Sequence, residues 1–282
     1  SFLGPSGCGK TTTLRMLAGF EDLSEGEIRL EGKVVSNKAK NLYVPPEHRN
    51  LGMVFQAFAV WPHLNVFDNV AFPLQVQKRP KAEIEERVNL ALKQTNLLDQ
   101  AKVFPSDLSG GEQQRIALAR SIVVNPGILL LDEPFNGLDP IGMKEFRDLL
   151  IELSKKGVGI VISSHSLEEL SKLVDTVTII NQGKVIFQGK KTEFLSLGSI
   201  KNVWLLKTDN IELTKSILNN LNIVFTERIE QLELSLDIES MKEVKEKLLT
   251  ELLRQDISII NFSEKQNNFE DIFIKMQKDM EV

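Results

Sequence analysis

Residues 4–11 read Gly4-Pro5-Ser6-Gly7-Cys8-Gly9-Lys10-Thr11, and this stretch decides the architecture. Glycines at this spacing let successive backbone N–H groups turn inward without Cβ clashes and form an anion cradle. A helix opening directly behind them adds the positive end of its dipole. Lys10 is then placed to reach the β- and γ-phosphates of a nucleotide, and the Thr11 hydroxyl to ligand Mg²⁺. Leu14, Leu17 and Ala18 recur at helical spacing and stop at Gly19, so the required helix is present. Cys8 reads as a small filler within the loop. Only Ser1-Phe2-Leu3 stands where a full strand should lead into such a loop, so further N-terminal strands are expected upstream.

A phosphate cradle needs a carboxylate at a strand end to hold Mg²⁺. Four apolar residues, Ile128 to Leu131, run into Asp132 and Glu133. Asp132 is the expected Mg²⁺ holder, and Glu133 the group that takes a proton from an attacking water. Leu108-Ser109-Gly110-Gly111-Glu112 precedes a helical run from Arg115 to Val123. Ser109 is a good N-cap, and the two glycines let backbone N–H groups approach an anion. Taken alone, that motif is equally a plain capped helix, and adjacent acids after an apolar run are equally a simple strand terminus.

Working outward, Glu27-Ile28-Arg29-Leu30 before Glu31-Gly32 reads as a strand and turn, and Leu51 to Phe55 as another strand. Residues 56–119 read as mainly helical, most clearly Glu83 to Leu98. Ile128 to Leu131, Val158 to Ile162 and Thr176 to Ile180 read as buried parallel strands, separated by helices over Gly142 to Lys155 and Ser166 to Leu173. Strand–helix alternation of this kind implies an α/β core with a mostly parallel sheet. Beyond residue 200 the pattern weakens. Strands at Val203 to Leu206, Leu232 to Leu236 and Ile257 to Phe262 interleave with charged helices at Glu212 to Leu221, Met241 to Leu253 and Phe269 to Lys278. The expected organisation is an α/β P-loop NTPase core over residues 1–195 with an inserted helical subdomain at about 57–115, then a small α+β appendage over 200–282.

Composition sets limits on function. The 282 residues are 42% hydrophobic and 26% charged, with a net charge of −5 that lies entirely in residues 201–282. A neutral body with an acidic tail lacks the basic face expected of a nucleic-acid binder. No run approaches the 18 or more apolar residues of a membrane span, so a membrane role must act through a partner. One cysteine excludes an internal disulfide framework.

With these motifs in order, residues 1 to about 190 resemble the ATP-binding subunit of a bacterial ABC transporter. The marks are Gly4 to Thr11, Gln56 after an apolar strand, Leu108-Ser-Gly-Gly-Glu112, Leu131-Asp-Glu-Pro134, Gly137-Leu-Asp139, and His165 after Val161-Ile-Ser-Ser. Taken singly, Gln56 is an ordinary strand-end amide, Asp139 a turn acid before Pro140 and His165 a structural histidine, as His48 and His63 are. The resemblance implies that Gly4, Pro5, Ser6, Gly7, Cys8, Gly9, Lys10, Thr11 and Thr12 form the ATP loop. It implies that Thr11, Gln56 and Asp132 attend Mg²⁺, that Glu133 is the base, and that His165 contacts the γ-phosphate. Ser109, Gly110 and Gly111 would act in trans on a second ATPase subunit, in a homodimer or heterodimer, with Asp139 at that interface. Phe58 to Phe67, containing Trp61, would dock a transmembrane permease subunit, and the protein would sit peripherally on the cytoplasmic face of the cell membrane. Glu112 stands where Gln is commoner, and either residue can cap a helix start.

Two subfamily resemblances point in different directions. Val44 to Gln56 and Val60 to Leu64 are similar to importers of iron, polyamines or sugars. Gly137 to Met143, Ser163 to Glu169 and Asn268 to Phe273 are similar to exporters, and export is the expected direction, with import or a catalytically incomplete fragment as the alternatives. A soluble ABC protein of DNA repair or translation usually carries a coiled-coil insertion or a second ATPase unit, neither of which is read here. A nucleotide kinase has no use for a helix acting in trans.

Overall fold

The computed structural model describes residues 1–165, 167–197, 202–229, 231–236, 241–264 and 272–273. The chain divides into two compact units, Ser1–Lys190 and Lys191–Val282. In the first, β1 (Phe2–Leu3) enters the glycine loop and α1 (Lys10–Ala18), which ends at Gly19 in the left-handed conformation that glycine adopts without strain. A three-stranded antiparallel sheet follows: β2 (Glu27–Leu30), β3 (Lys33–Asn37) and β4 (Leu42–Tyr43). Then come β5 (Leu51–Val54), α2 (Val66–Val76), α3 (Lys81–Gln94), α4 (Gly110–Ile122), β6 (Ile128–Asp132), α5 (Pro140–Lys155), β7 (Gly159–Ser164), α6 (Leu167–Ser171), β8 (Thr176–Asn181) and β9 (Lys184–Lys190).

The main sheet has the order β5-β6-β7-β1-β8-β9, parallel except for β9. Leu3, Leu129, Leu130 and Leu131 are buried, as strands covered on both faces must be. On one face Leu14 and Ala18 of α1 pack on Leu130, with Phe2, Ile128 and Val161 around them. The β8–β9 connection is a two-residue turn, Gln182-Gly183, with positive φ at both residues, which matches the twist of a tight hairpin. Its Gly183 N–H donates to the Cys8 carbonyl, so the hairpin abuts the glycine loop.

Helices α2, α3 and α4 share a core of their own, from Val66 through Leu92 and Leu97 to Ile116 and Val123. The subdomain expected at 57–115 is therefore shifted: 57–65 holds no helix and α4 runs on to Ile122. Glu83 to Leu98 is not one helix either. Its helix starts at Lys81 and stops at Gln94, and left-handed Asn96 then leads into a 3₁₀ turn over Leu98–Gln100.

The second unit contains α7 (Lys191–Ser196), β10 (Asn202–Thr208), α8 (Ile211–Asn220), β11 (Val224–Arg228), β12 (Gln231–Leu236), α9 (Met241–Arg254) and β13 (Ile259–Glu264). From β10 on, the order is βαββαβ and the antiparallel sheet runs β11-β12-β10-β13, the ferredoxin-like arrangement. Leu206, Leu232 and Leu234 on the strands meet Ile217, Leu218, Leu248 and Leu252 on the helices. Most of the helix expected at Phe269 to Lys278 lies outside the described residues.

Four strands escaped the sequence pattern. β3 buries Ser36 and Asn37 in succession beside Val35, which breaks the alternation of a strand: Arg49 donates to Ser36 Oγ (2.7 Å), and Asn37 donates to Glu27 (2.6 Å). β11 is an edge strand whose residues are mostly exposed, so no alternation marks it. β4 has two residues, and β9 is largely exposed. Leu234 lies fully buried in the second unit's core, so Leu234→Ala is expected to cost about 2–5 kcal/mol there. Hydrogen exchange of the β10 and β12 amides would show it as lost protection.

Candidate functional site

Four adjacent strands, β5, β6, β7 and β1, end side by side and in parallel. Gln56, the Asp132-Glu133 pair, His165 and the glycine loop all hang from those carboxyl ends. A cavity of about 320 Å³ results. Ser6, Gly7, Gly9, Lys10, Thr11 and Thr12 line one side, and Gln56, Glu133, Asn136 and His165 the other.

The loop supplies the anion site. Gly7 (φ 80°) and Gly9 (φ 108°) take left-handed conformations that a side chain would strain. Gly9 is the N-cap of α1, and the first N–H groups of that helix have no intrahelical acceptor. Gly4, Pro5 and Cys8 do not line the cavity. They shape the loop from behind. A Cβ on Gly4 would lie 2.2 Å from the Ile180 carbonyl oxygen and 2.5 Å from Cys8 Sγ. Lys10 is buried and folds over the loop, donating to the carbonyls of Gly4 (2.7 Å) and Pro5 (3.1 Å), with Nζ 3.9 Å from Glu133 Oε1.

Opposite the loop, Thr11 Oγ1 donates to Asp132 Oδ1 (3.0 Å), and Ser163 Oγ donates to the same oxygen (2.7 Å). Glu133 has φ 48°, a costly conformation for a residue with a Cβ. Its N–H donates to both the carbonyl and the hydroxyl of Ser163, each at 3.1 Å. Its Oε2 accepts from the His165 N–H (3.2 Å) and meets the His165 ring Nδ1 at 2.8 Å. The Glu133 side chain is 10% exposed and that of His165 55%. The arrangement places an ammonium, a hydroxyl, two carboxylates and an imidazole around one anion cradle.

Two members of the site, Asn136 and Ser163, carry no motif of their own. Asn136 follows Glu133 by three residues, and its N–H donates to the Glu133 carbonyl (3.2 Å). Ser163 sits where the sequence pattern had already ended its strand at Ile162, because two serines follow.

Ser109, Gly110, Gly111 and Asp139 are not on this cavity. Ser109 caps α4 in a full capping box with Glu112, whose side chain accepts from the Ser109 N–H (2.8 Å) and hydroxyl (2.7 Å). These bonds, led by one from Gln100, hold the Glu112 carboxyl below its usual range. Asp139 caps α5 by accepting from the Gly142 N–H (2.8 Å). A Cβ on Gly110 would lie 3.4 Å from the Gly137 carbonyl oxygen, so the two helix starts are neighbours. Ser109 and Asp139 are exposed.

A second concavity, about 730 Å³, opens beside α2. Its lining includes Phe20, Phe55, Trp61, Phe72, Val76 and Arg120. Arg120 lies over the Trp61 ring (4.4 Å) and donates to the Ala59 carbonyl (2.8 Å), and its burial lowers the guanidinium pKa. Only part of the expected docking segment contributes. Val60 and Phe67 pack into the helical core instead, while Phe20, Phe72 and Val76 enter from other elements.

Residues 1–136 match the ABC transporter family. The chain is 44% identical over 205 residues to the spermidine/putrescine import ATP-binding protein PotA of Nostoc sp., covering 70% of this chain and 52% of that protein. It is 42% identical over 182 residues to the trehalose/maltose import ATP-binding protein MalK of Thermococcus litoralis, covering 64% and 49%. The chain thus spans about half the length of these relatives. A dimeric ATP-binding cassette solved in a post-hydrolysis state with ADP and Pi superposes with a TM-score of 0.59 at 29% identity, over 67% of this chain and 83% of that one.

Cys8 is 4% exposed, and its Sγ is wedged between the Gly4 backbone and Lys10 Nζ (4.0 Å). Alkylation of this thiol is expected to displace the loop and abolish binding of a fluorescent ATP analogue, and prior addition of ATP to slow the alkylation.

Proposed function

We propose that this chain, whose residues 1–136 belong to the ABC transporter family, is the ATP-binding and ATP-hydrolysing subunit of an import-type transporter. The observation that carries the proposal is the single cavity shared by the helix N-terminus, Lys10, Thr11, Glu133 and His165. The N–H groups at the start of α1 bind the phosphates of ATP, and Lys10 leaves the Gly4 and Pro5 carbonyls for the β- and γ-phosphates.

Mg²⁺ fits the residues present. Thr11 Oγ1 and Asp132 Oδ1 lie 3.0 Å apart, both hard oxygens, and the Gln56 amide faces the same cavity. The described residues hold no cluster of three His, Cys, Asp or Glu, and Mg²⁺ bound through one carboxylate plus substrate phosphates needs none. When bound, the ion neutralises charge on the phosphate oxygens. Glu133 accepts a proton from the attacking water as its oxygen bonds to the γ-phosphorus. The bond to the β–γ bridging oxygen breaks, and ADP and phosphate leave. His165 holds Glu133 in position through its backbone N–H and ring, while its exposed ring edge is placed for the γ-phosphate.

The cavity is open where no residue of Ser109–Gly111 or Asp139 reaches it. These groups, of which Ser109 and Asp139 are exposed, are proposed to complete the cavity of a second ATPase subunit, and the dimeric cassette among the structural neighbours supports that arrangement. ATP then joins two subunits, and its hydrolysis releases them. The aromatic groove around Trp61 is proposed as the seat of a helix from a transmembrane permease, which places the protein peripherally on the cytoplasmic face of the membrane. No helix among the described residues is long and apolar enough to cross a membrane.

Import replaces the expected export. The export-like marks were Gly137 to Met143, Ser163 to Glu169 and Asn268 to Phe273. The last of these falls largely outside the described residues, and relatives that match 70% and 64% of this chain are named as import subunits.

Glu133→Gln is expected to abolish MgATP turnover while keeping ATP bound, as measured by phosphate release and by nucleotide binding. Turnover that survives the change would leave Glu133 out of the chemistry, and a wild-type chain without turnover would make it a catalytically incomplete member. Val76 is 65% exposed at the groove. Val76→Glu is expected to prevent co-purification with the permease and to leave nucleotide binding within about twofold, since a buried charge penalises docking alone.

A further inference from the structure

We infer that Ser163 is a positioning residue of the hydrolytic site, which sets Asp132 and Glu133 through one hydroxyl. The inference rests on the ATPase function proposed above.

β6 and β7 pair in parallel, with Asp132 opposite Ser163, and β1 pairs on the other side with Phe2 opposite Ser163. In a sheet, residues in register on neighbouring strands share a face. The row below Asp132 and Ser163 is Leu130 and Val161, and it packs on α1. An apolar side chain would continue that row. A hydroxyl stands there instead, at 0% exposure. A buried hydroxyl is costly unless bonded, and this one is bonded in both senses. It donates to Asp132 Oδ1 (2.7 Å) and accepts from the Glu133 N–H (3.1 Å).

Each bond constrains a different part of the proposed chemistry. The first anchors the carboxylate that shares Oδ1 with the Thr11 hydroxyl, so two hydroxyls from opposite sides fix its rotation. The second holds the Glu133 backbone at φ 48°, a conformation that persists only where its surroundings over-determine it. The Ser163 carbonyl accepts from the same N–H (3.1 Å), so losing the hydroxyl leaves that amide paired and the turn closed. Truncation should therefore loosen the acids without unfolding the strand. Two residues further on, the His165 amide and ring grip the Glu133 carboxylate. The end of β7 thus holds the acid pair by a hydroxyl, a carbonyl, an amide and an imidazole.

The test compares wild type, Ser163→Ala and Ser163→Thr in the 282-residue chain, with Glu133→Gln as the reference for dead chemistry. Ser163→Ala is expected to lower turnover about tenfold, the loss of one hydrogen bond to a charged group, and Ser163→Thr to stay within about twofold of wild type. A fluorescent ATP analogue gives a readout that does not need turnover. Affinity in EDTA should be unchanged in Ser163→Ala, because the cradle is backbone, while the gain in affinity on adding Mg²⁺ should shrink. Unchanged turnover together with an unchanged Mg²⁺ gain would overturn the inference. So would equal loss of affinity with and without Mg²⁺, or a folded Ser163→Thr that behaves as alanine. If wild type shows no Glu133-dependent turnover, the ATPase proposal fails by itself, and the Mg²⁺ gain still decides the role of Ser163.

Discussion

Parallel pairing of β5, β6, β7 and β1 is the constraint on which the rest depends. It aligns four carboxyl ends in one row, so that residues as far apart in the chain as Ser6 and His165 meet around one cavity. Parallel strands need long crossovers, and here the crossovers carry the remaining parts. The β1-to-β5 connection carries α1 and the small antiparallel sheet, and the β5-to-β6 connection carries the three-helix subdomain. Between β6 and β7 lies α5, whose cap Asp139 stands beside the start of α4.

The cavity gathers polar groups that an apolar core would reject. Lys10, Asp132, Glu133 and Ser163 are all buried. Lys10 is satisfied by two loop carbonyls and lies near Glu133, Asp132 by two hydroxyls, and Glu133 by Ser163 and His165. Such a network is stable only when every member is paired, which makes each contact sensitive to change. It also stores local strain at Glu133, whose left-handed backbone aims its carboxylate back toward His165 and the loop.

The two units express different solutions to burial. The first covers a parallel sheet on both faces and adds a separate helical core, leaving an aromatic groove beside α2. The second closes two helices on an antiparallel sheet, with Leu206, Leu232 and Leu234 at the centre. The acidic excess of the whole chain lies in residues 201–282.

By itself the sequence determined the parts whose geometry is local. Gly4 to Thr11, the apolar run into Asp132-Glu133 and the Ser109 N-cap were all legible, because a few consecutive residues dictate a turn, a helix start or a strand end. The parallel class of the sheet followed from strand–helix alternation. Only the tertiary structure decided which strands are neighbours and in what register. That is why Ser163 and Asn136 were missed: a serine ending an apolar strand is unremarkable until β6 is laid beside it and Asp132 falls opposite. Edge strand β11 and polar strand β3 were missed for a related reason, since their burial comes from distant partners and leaves no periodic trace in their own residues. The division of Phe58 to Phe67 between groove and core had the same origin. Aromatic side chains look alike in sequence, and the packing of α2, α3 and α4 alone chooses which of them face outward.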